Sequence, residues 1–139
     1  MTEQNQITPP QRFSTIPIIH ELTCVYILLH NAIRDFPKLD KYNLGTSIEQ
    51  ILLDCIKQTF LATVIPPGSQ KLHSVATASA QFDTLKLYIR IGTDTDCISE
   101  KAYLKLLPHL GSIGSMLGGW LKEAQKPTGQ IQNPNQNYR

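Results

Sequence analysis

Met116-Leu117-Gly118-Gly119-Trp120 places two adjacent glycines and the only tryptophan of the chain inside a segment whose apolar residues recur at helical spacing. Each glycine lowers helix propensity by about 1 kcal/mol relative to alanine. Such a pair indicates a close approach of another backbone, a bend or a helix end. We expect the Trp120 side chain to be largely buried at one end of the folded domain.

Three further segments upstream carry apolar residues at steps of three and four, which is the pattern of an amphipathic helix. The helices are predicted over about 17–36, 42–64, 69–91 and from Ser99 to about 124. Pro17 suits a first helical turn, Pro37 ends the first helix, and Pro66-Pro67-Gly68 ends the second. Short connectors between four helices predict an all-α, up-and-down four-helix bundle.

The predicted bundle covers residues 16–124 and leaves a polar segment on each side of it. Residues 1–15 and 125–139 are poor in apolar side chains and cannot bury enough surface to fold alone, so we expect both to be flexible tails. The formal net charge of +2 in 139 residues is mild. It excludes a charge-dominated binder of the histone type and leaves room for a local basic patch.

The cysteines indicate a reducing environment. There are three of them, Cys24, Cys55 and Cys97, and none belongs to a C-x-x-C motif. This odd number and wide spacing favour free thiols in a cytoplasmic protein, with Cys24 and Cys55 as small core or interface residues. We expect no membrane association, because the sequence has neither a signal-peptide pattern nor a long apolar run.

Two helices have more apolar or small residues than a monomeric bundle needs. Apolar residues surround most of the third helix: Leu85, Leu87, Tyr88, Ile89 and Ile91. One face of the fourth is small or rigid: Pro108, Gly111, Ser115, Gly118 and Gly119. Both patterns indicate burial against a second subunit. The alternative is that Pro108 merely kinks the helix and the glycines have no packing role.

The candidate binding residues are two pairs of cations. Lys86 and Arg90 are four residues apart on the third helix, and Lys101 and Lys105 have the same spacing on the fourth. We expect Asp83 to be the only acidic residue within reach of the first pair, so that repulsion between like charges favours an external phosphate or an acidic protein surface. The alternative is an ordinary solvated stripe. Oligomerisation would repeat each patch around a symmetry axis and add their fields.

We find no pattern typical of a catalytic, metal or cofactor site. No Glu-x-x-His pair of the kind used by di-iron bundles is present. His20 and Cys24 share a helix face, but a zinc site needs further ligands, so a polar surface pair is expected. Cys97 has no recognisable histidine partner motif. The sequence predicts a protein without catalytic residues, metal or cofactor; a small enzyme with a site at a subunit interface is an alternative for which no residues can be named.

Several motifs together resemble one known family. They are Phe36-Pro37-Lys38, Lys41-Tyr42-Asn43-Leu44-Gly45, Ser79-Ala80 through Leu85-Lys86 and Arg90, and Ile113-Gly114-Ser115-Met116-Leu117-Gly118-Gly119-Trp120. In order and spacing the chain resembles the small four-helix-bundle proteins that include Avd, the accessory variability determinant of diversity-generating retroelements, and the proteins encoded in ribosomal RNA intervening sequences. The resemblance covers about residues 19–123.

This resemblance implies a ring-like homopentamer with a positively charged surface. In the Avd branch it implies a non-catalytic accessory protein that binds the reverse transcriptase of its retroelement and nucleic acid, template RNA first and DNA as a second candidate, during mutagenic cDNA synthesis. The intervening-sequence branch, whose role is obscure, is the alternative. The chain has Ser115 where the family commonly has a basic residue, which shifts the expected phosphate contact to Lys86 and Arg90.

Overall fold

The computed structural model describes residues 16–127, and these residues form a bundle of four long helices without any strand. The helices are α1 (Pro17–Arg34), α2 (Thr46–Val64), α3 (Ser69–Asp94) and α4 (Glu100–Gln125). The prediction of an all-α four-helix bundle is therefore confirmed. The tails predicted for 1–15 and 125–139 lie outside the described residues, apart from 125–127.

The helices follow an up-and-down order. Each packs against the next in the chain, and α4 packs back against α1, which closes the bundle. Because the connections are short, one end of the bundle carries the α1–α2 and α3–α4 turns. The other end carries the α2–α3 connection, the start of α1 and the end of α4. We call the first the turn end and the second the terminal end.

The second helical region begins earlier than predicted. A helical turn at Lys38–Asp40 and a π-helical segment at Lys41–Gly45 lead directly into α2, whereas the sequence pattern predicted a start near 42. Extended Pro37 precedes this turn, and its carbonyl oxygen accepts a hydrogen bond from the Lys41 amide at 2.8 Å. Buried Gly45 allows close packing here, because a Cβ on it would lie 2.9 Å from Ile33 Cγ2.

The turn between α3 and α4 is also built on a glycine. The Gly92 carbonyl oxygen accepts hydrogen bonds from the amides of Cys97 and Ile98, at 2.9 and 3.0 Å. A Cβ on Gly92 would lie 2.6 Å from Ile98 Cδ1. This compact turn lets α3 continue to Asp94, three residues past its predicted end, and Asp96 takes a positive φ of 63° within it.

The core is formed by the apolar stripes that the sequence predicts. On α4 the stripe residues are all buried: Leu106, Leu110, Ile113 and Leu117. On α1 the apolar residues at steps of three and four are buried, apart from partly buried Tyr26. The buried residues are Ile18, Leu22, Val25, Leu29 and Ile33, with Ile19 in addition. Ser99, where the fourth helix was predicted to begin, caps α4, since its Oγ accepts a hydrogen bond from the Ala102 amide at 3.1 Å.

Of the roles predicted for the glycine pair, a helix end is wrong, because α4 continues past Gly118-Gly119 to Gln125. A Cβ at either position would meet nothing within 4 Å among residues 16–127, so no other helix of the described chain approaches them. Trp120 packs against the core but is only partly buried, because it lies at the open terminal end.

Gly92→Ala should lower the melting temperature. The new methyl group would meet Ile98 Cδ1 at 2.6 Å and Cγ1 at 2.9 Å, and Ile98 is 2% exposed, so it has little room to move. Overpacking of this kind costs about 1–3 kcal/mol. Thermal unfolding followed by circular dichroism measures the change. Adding Ile98→Val removes the closest atom and should recover part of the loss; an unchanged melting curve for Gly92→Ala would contradict the close packing of the turn.

Candidate partner and nucleic-acid interface

Lys86 and Arg90 lie on the outer surface of α3. Their neighbours Leu85 and Ile89 are buried in the core, so each cation lies one residue further round the helix. The side chain of Lys86 is 47% exposed and that of Arg90 is 74% exposed. The two side chains therefore share the accessible face that their spacing predicts.

Each of these cations has an acidic partner on its own helix. Lys86 Nζ lies 3.3 Å from Asp83 Oδ1, and 5.1 Å from the centre of the Phe82 ring. Arg90 Nε lies 3.6 Å from Asp94 Oδ2. The expectation that Asp83 would be the only acidic residue within reach was wrong, since Asp94 lies four residues after Arg90 and α3 extends far enough to bring the two together.

Because each cation has an acidic partner, repulsion between Lys86 and Arg90 is weaker evidence for an external anion than predicted. The ion pairs would not prevent such an anion from binding. Both carboxylates are more than half exposed, and exposed ion pairs contribute only about 0–1 kcal/mol. A phosphate or a partner carboxylate can therefore replace Asp83 or Asp94 at small cost. The pairs also hold the two side chains along the helix surface in the free protein.

Lys101 and Lys105 are exposed near the start of α4 and form no ion pair with any residue in the range 16–127. Because the chain reverses between α3 and α4, the second half of α3 lies beside the first half of α4. All four predicted residues consequently belong to the half of the α3–α4 hairpin that is next to its turn. Lys86 borders the groove between the helices.

This groove has a volume of about 370 Å³. It is lined by Lys86, Ile89, Tyr103, Leu107, Leu110, Gly111, Gly114 and Ser115. Apolar side chains are exposed on both helices of the hairpin: Leu107 in the groove is 40% exposed, Leu104 on α4 is 55% exposed, and Leu87 on α3 is 57% exposed. Of the apolar residues predicted around α3, Leu85 and Ile89 are buried in the core of the same chain, while Leu87 and Ile91 are exposed. Of the small face predicted on α4, Gly111 and Ser115 line the groove. We call the groove, with the exposed residues Leu87, Leu104 and Leu107 on its two helices, the hairpin face.

Two histidine–glutamate pairs, which the sequence analysis missed, link neighbouring helices. His109 Nδ1 lies 2.7 Å from Glu21 Oε1, and His30 Nδ1 lies 3.0 Å from Glu49 Oε2. The first joins α4 to α1 and the second joins α1 to α2. The partners are 88 and 19 residues apart in the chain, so each histidine looks isolated in the sequence. The second pair lies in a groove of about 260 Å³ beside the π-helical segment.

The described residues offer little for metal binding or nucleophilic catalysis. No group of three or more His, Cys, Asp or Glu side chains in the range 16–127 could hold a metal ion. His20 Nε2 and Cys24 Sγ form the expected exposed pair, 3.6 Å apart. Burial raises the pKa of the Cys55 thiol to about 11, so this group stays protonated near neutral pH.

A larger apolar cavity, of about 510 Å³, lies at the terminal end beside Trp120. None of the four predicted binding residues lines it. Among the helices of the described chain, none combines the length and apolar character that a membrane span requires.

Comparison with protein families gives a match over most of the chain. A family model described as bAvd-like matches residues 19–124, which is more than half of the chain and runs from α1 almost to the end of α4. Comparison with curated proteins and with solved structures gives no significant match.

The raised pKa of Cys55 predicts a loss of stability at high pH. The pKa rises from 9.0 to about 11 on folding, so above pH 9 the unfolded thiol loses its proton while the folded thiol keeps it. Stability from this group is complete below pH 9 and falls as the pH rises towards 11. In urea unfolding from pH 8 to pH 10.5, Cys55→Ala should lose less stability than the wild type, whereas Cys24→Ala should follow the wild type. Parallel losses in all three proteins would refute this assignment.

Proposed function

The chain belongs to the bAvd-like family, and on this basis we propose that it is a non-catalytic accessory subunit of a diversity-generating retroelement. It binds the reverse transcriptase of the same retroelement together with template RNA, and it supports mutagenic cDNA synthesis in the cytoplasm. The observation that carries the proposal is the family match across the whole helical bundle. A reverse-transcriptase gene next to this one, with paired template and variable repeats, would separate this role from that of intervening-sequence proteins.

The hairpin face supplies a surface suited to such a role. Lys86 borders an apolar groove, and Arg90 lies one helical turn further on. Lys101 and Lys105 are two further cations near the start of α4, without acidic partners in the described part of the chain. Lys105 lies one turn before His109, which contacts Glu21, so it is on the α1 side of α4. An interface that combines cations with apolar side chains can bind both a protein surface and a phosphate backbone.

The apolar surface also supports a ring-like homo-oligomer. A ring requires two different complementary surfaces on each subunit. The hairpin face is one, and the opposite side of the bundle carries a second apolar patch at Ile27 and Leu53, which are 55% and 45% exposed. Contact between the apolar groove of one copy and this patch of the next would cover both. It would leave Arg90, and Lys86 at the border of the groove, for the reverse transcriptase or RNA. The family resemblance implies five copies in the ring.

Gly111→Gln with Ser115→Gln should dissociate the oligomer while each subunit remains folded. Both residues line the groove, and a Cβ at Gly111 meets nothing within 4 Å among residues 16–127. The glutamines therefore enter space that no described residue of the same chain uses and that the next subunit of the ring would fill. Light scattering coupled to size-exclusion chromatography measures the mass. Ser69→Gln, at the exposed start of α3, is the control and should stay oligomeric; a monomeric wild type at micromolar concentration would overturn the proposed ring.

Reversing Lys86 and Arg90 together to Glu should weaken binding to the reverse transcriptase or to template RNA by at least tenfold. Thermal stability should change little, because both groups are exposed and their ion pairs are weak. If the contact is with phosphate, each lost contact reduces the slope of log affinity against log salt by about 0.7 for single strands and about 0.9 for duplex DNA. Fluorescence anisotropy across a salt series measures both quantities.

The matched control is the double reversal of Lys122 and Lys126 to Glu. Lys122 and Lys126 are four residues apart and carry the same total charge as Lys86 and Arg90. Lys126 pairs with Glu123 at 3.2 Å, much as Lys86 pairs with Asp83. The control should keep wild-type binding, since it lies at the terminal end. If both double variants lose affinity equally, net charge rather than the α3 surface governs binding; if neither loses affinity, α3 is not the contact.

A further inference from the structure

An exposed aromatic side chain stands at the junction of α1 and α2. Tyr42 is 68% exposed, although it belongs to a well-packed helical segment. Its ring borders the 260 Å³ groove between α1 and the π-helical segment. The groove is lined by His30, Ile33, Arg34, Lys41, Tyr42, Gly45, Thr46 and Glu49. Neither the sequence motifs nor the proposed hairpin contacts assign a role to this groove.

The local backbone explains why Tyr42 faces outwards. Gly45 is buried against Ile33, and Leu44 packs against the core. With the inner side of the π-helical segment fixed in this way, Tyr42 is left on the solvent side. Short π-helical segments are rare and often mark functional sites. The ring is thus held by a rigid support without being needed for the core.

Three cations lie near Tyr42: Arg34 and Lys41 line the same groove, and Lys38 is four residues before Tyr42 in the helical segment. Their ion pairing differs from that of Lys86 and Arg90. Arg34, Lys38 and Lys41 form no ion pair with any residue in the range 16–127. The Arg34 guanidinium instead donates a hydrogen bond to Asn31 Oδ1 at 2.8 Å, which holds it along α1. All three can therefore receive an anionic ligand without first releasing a carboxylate.

Acidic groups at the same junction limit long-range attraction. Asp35 and Asp40 are close in sequence to the cations, and Glu49 lies in the groove, where His30 contacts it at 3.0 Å. The formal charges at the junction nearly cancel. Affinity here must come from contact with the ring and from short-range hydrogen bonds, rather than from a strong positive field.

We propose that Tyr42 is a stacking platform for an unpaired base of single-stranded nucleic acid, with Arg34, Lys38 and Lys41 contacting the adjacent phosphates. An exposed aromatic ring among cations is the arrangement by which proteins bind single strands, because an unpaired base offers its flat face whereas a duplex does not. The groove is smaller than the 300–1,000 Å³ typical of whole-ligand pockets, which suits one base. This inference rests on the proposed nucleic-acid role and adds a preference for unpaired strands.

The test compares Tyr42→Ala, Tyr42→Phe and Leu39→Ala in the full-length protein. Leu39 is the matched control, since it is 76% exposed in the same region but has no aromatic ring. Fluorescence anisotropy is measured with a labelled 12-nucleotide RNA, the DNA of the same sequence, and the corresponding duplexes. Tyr42→Ala should weaken binding of the single strands by about 5- to 150-fold, the range for loss of one base–aromatic stack. Tyr42→Phe and Leu39→Ala should stay within about twofold of the wild type, and duplex affinity should not change.

The outcomes separate this inference from the proposed function. If the wild type binds single strands and Tyr42→Ala binds them equally well, the platform is refuted and the nucleic-acid role stands. If the wild type binds no nucleic acid, the nucleic-acid role is refuted and the platform with it. If Tyr42→Ala and Leu39→Ala both reduce oligomer mass or reverse-transcriptase binding without changing RNA affinity, the region is a protein contact. A matching loss for RNA and DNA would show that the platform reads the base rather than the sugar.

Discussion

The contact between Gly92 and Ile98 fixes how α3 and α4 lie against each other. One carbonyl oxygen accepts two amide hydrogen bonds, and the absence of a side chain at Gly92 lets Ile98 pack directly against the helix. The turn therefore has a single register. That register places the second half of α3 beside the first half of α4, so the groove, the exposed apolar residues and all four predicted cations depend on it.

A similar glycine contact sets the α1–α2 junction, where Gly45 packs against Ile33. Both contacts lie at the turn end of the bundle, and both stabilise a surface that carries cations. Rigid backbone beneath exposed side chains restricts where those side chains can reach, which lowers the entropy lost on binding. In the proposed ring the hairpin face of one copy would meet the α1–α2 side of the next, so that this face and the neighbour's junction would adjoin. The first carries apolar groups with the ion-paired Lys86 and Arg90, and the second carries an aromatic ring with unpaired cations.

The sequence predicted the helices and their buried faces because apolar spacing alone decides them. It did not predict which glycines are in tight contact, because Gly92 meets Ile98 only through the α3–α4 turn and Gly45 meets Ile33 only through the π-helical segment. Gly118 and Gly119 are conspicuous in the sequence because they are adjacent, yet a Cβ on either would meet nothing within 4 Å among the described residues. The pairing of Arg90 with Asp94 was missed because it depends on where α3 ends. The histidine–glutamate pairs were missed because they join separate helices.

Lys86 and Arg90 each have an acidic partner on α3, whereas the cations at the α1–α2 junction have none among the described residues. A chain with a formal net charge of only +2 cannot attract a nucleic acid over long distances as a single subunit, and nearby carboxylates offset most of its cations. The proposed ring would change this situation, because every copy would repeat the same exposed cations around the axis, and a carboxylate displaced by a phosphate becomes solvated at little cost. On that proposal, assembly precedes or accompanies strong binding. A long polyanion would then meet the electrostatic field of the oligomer rather than that of the isolated bundle.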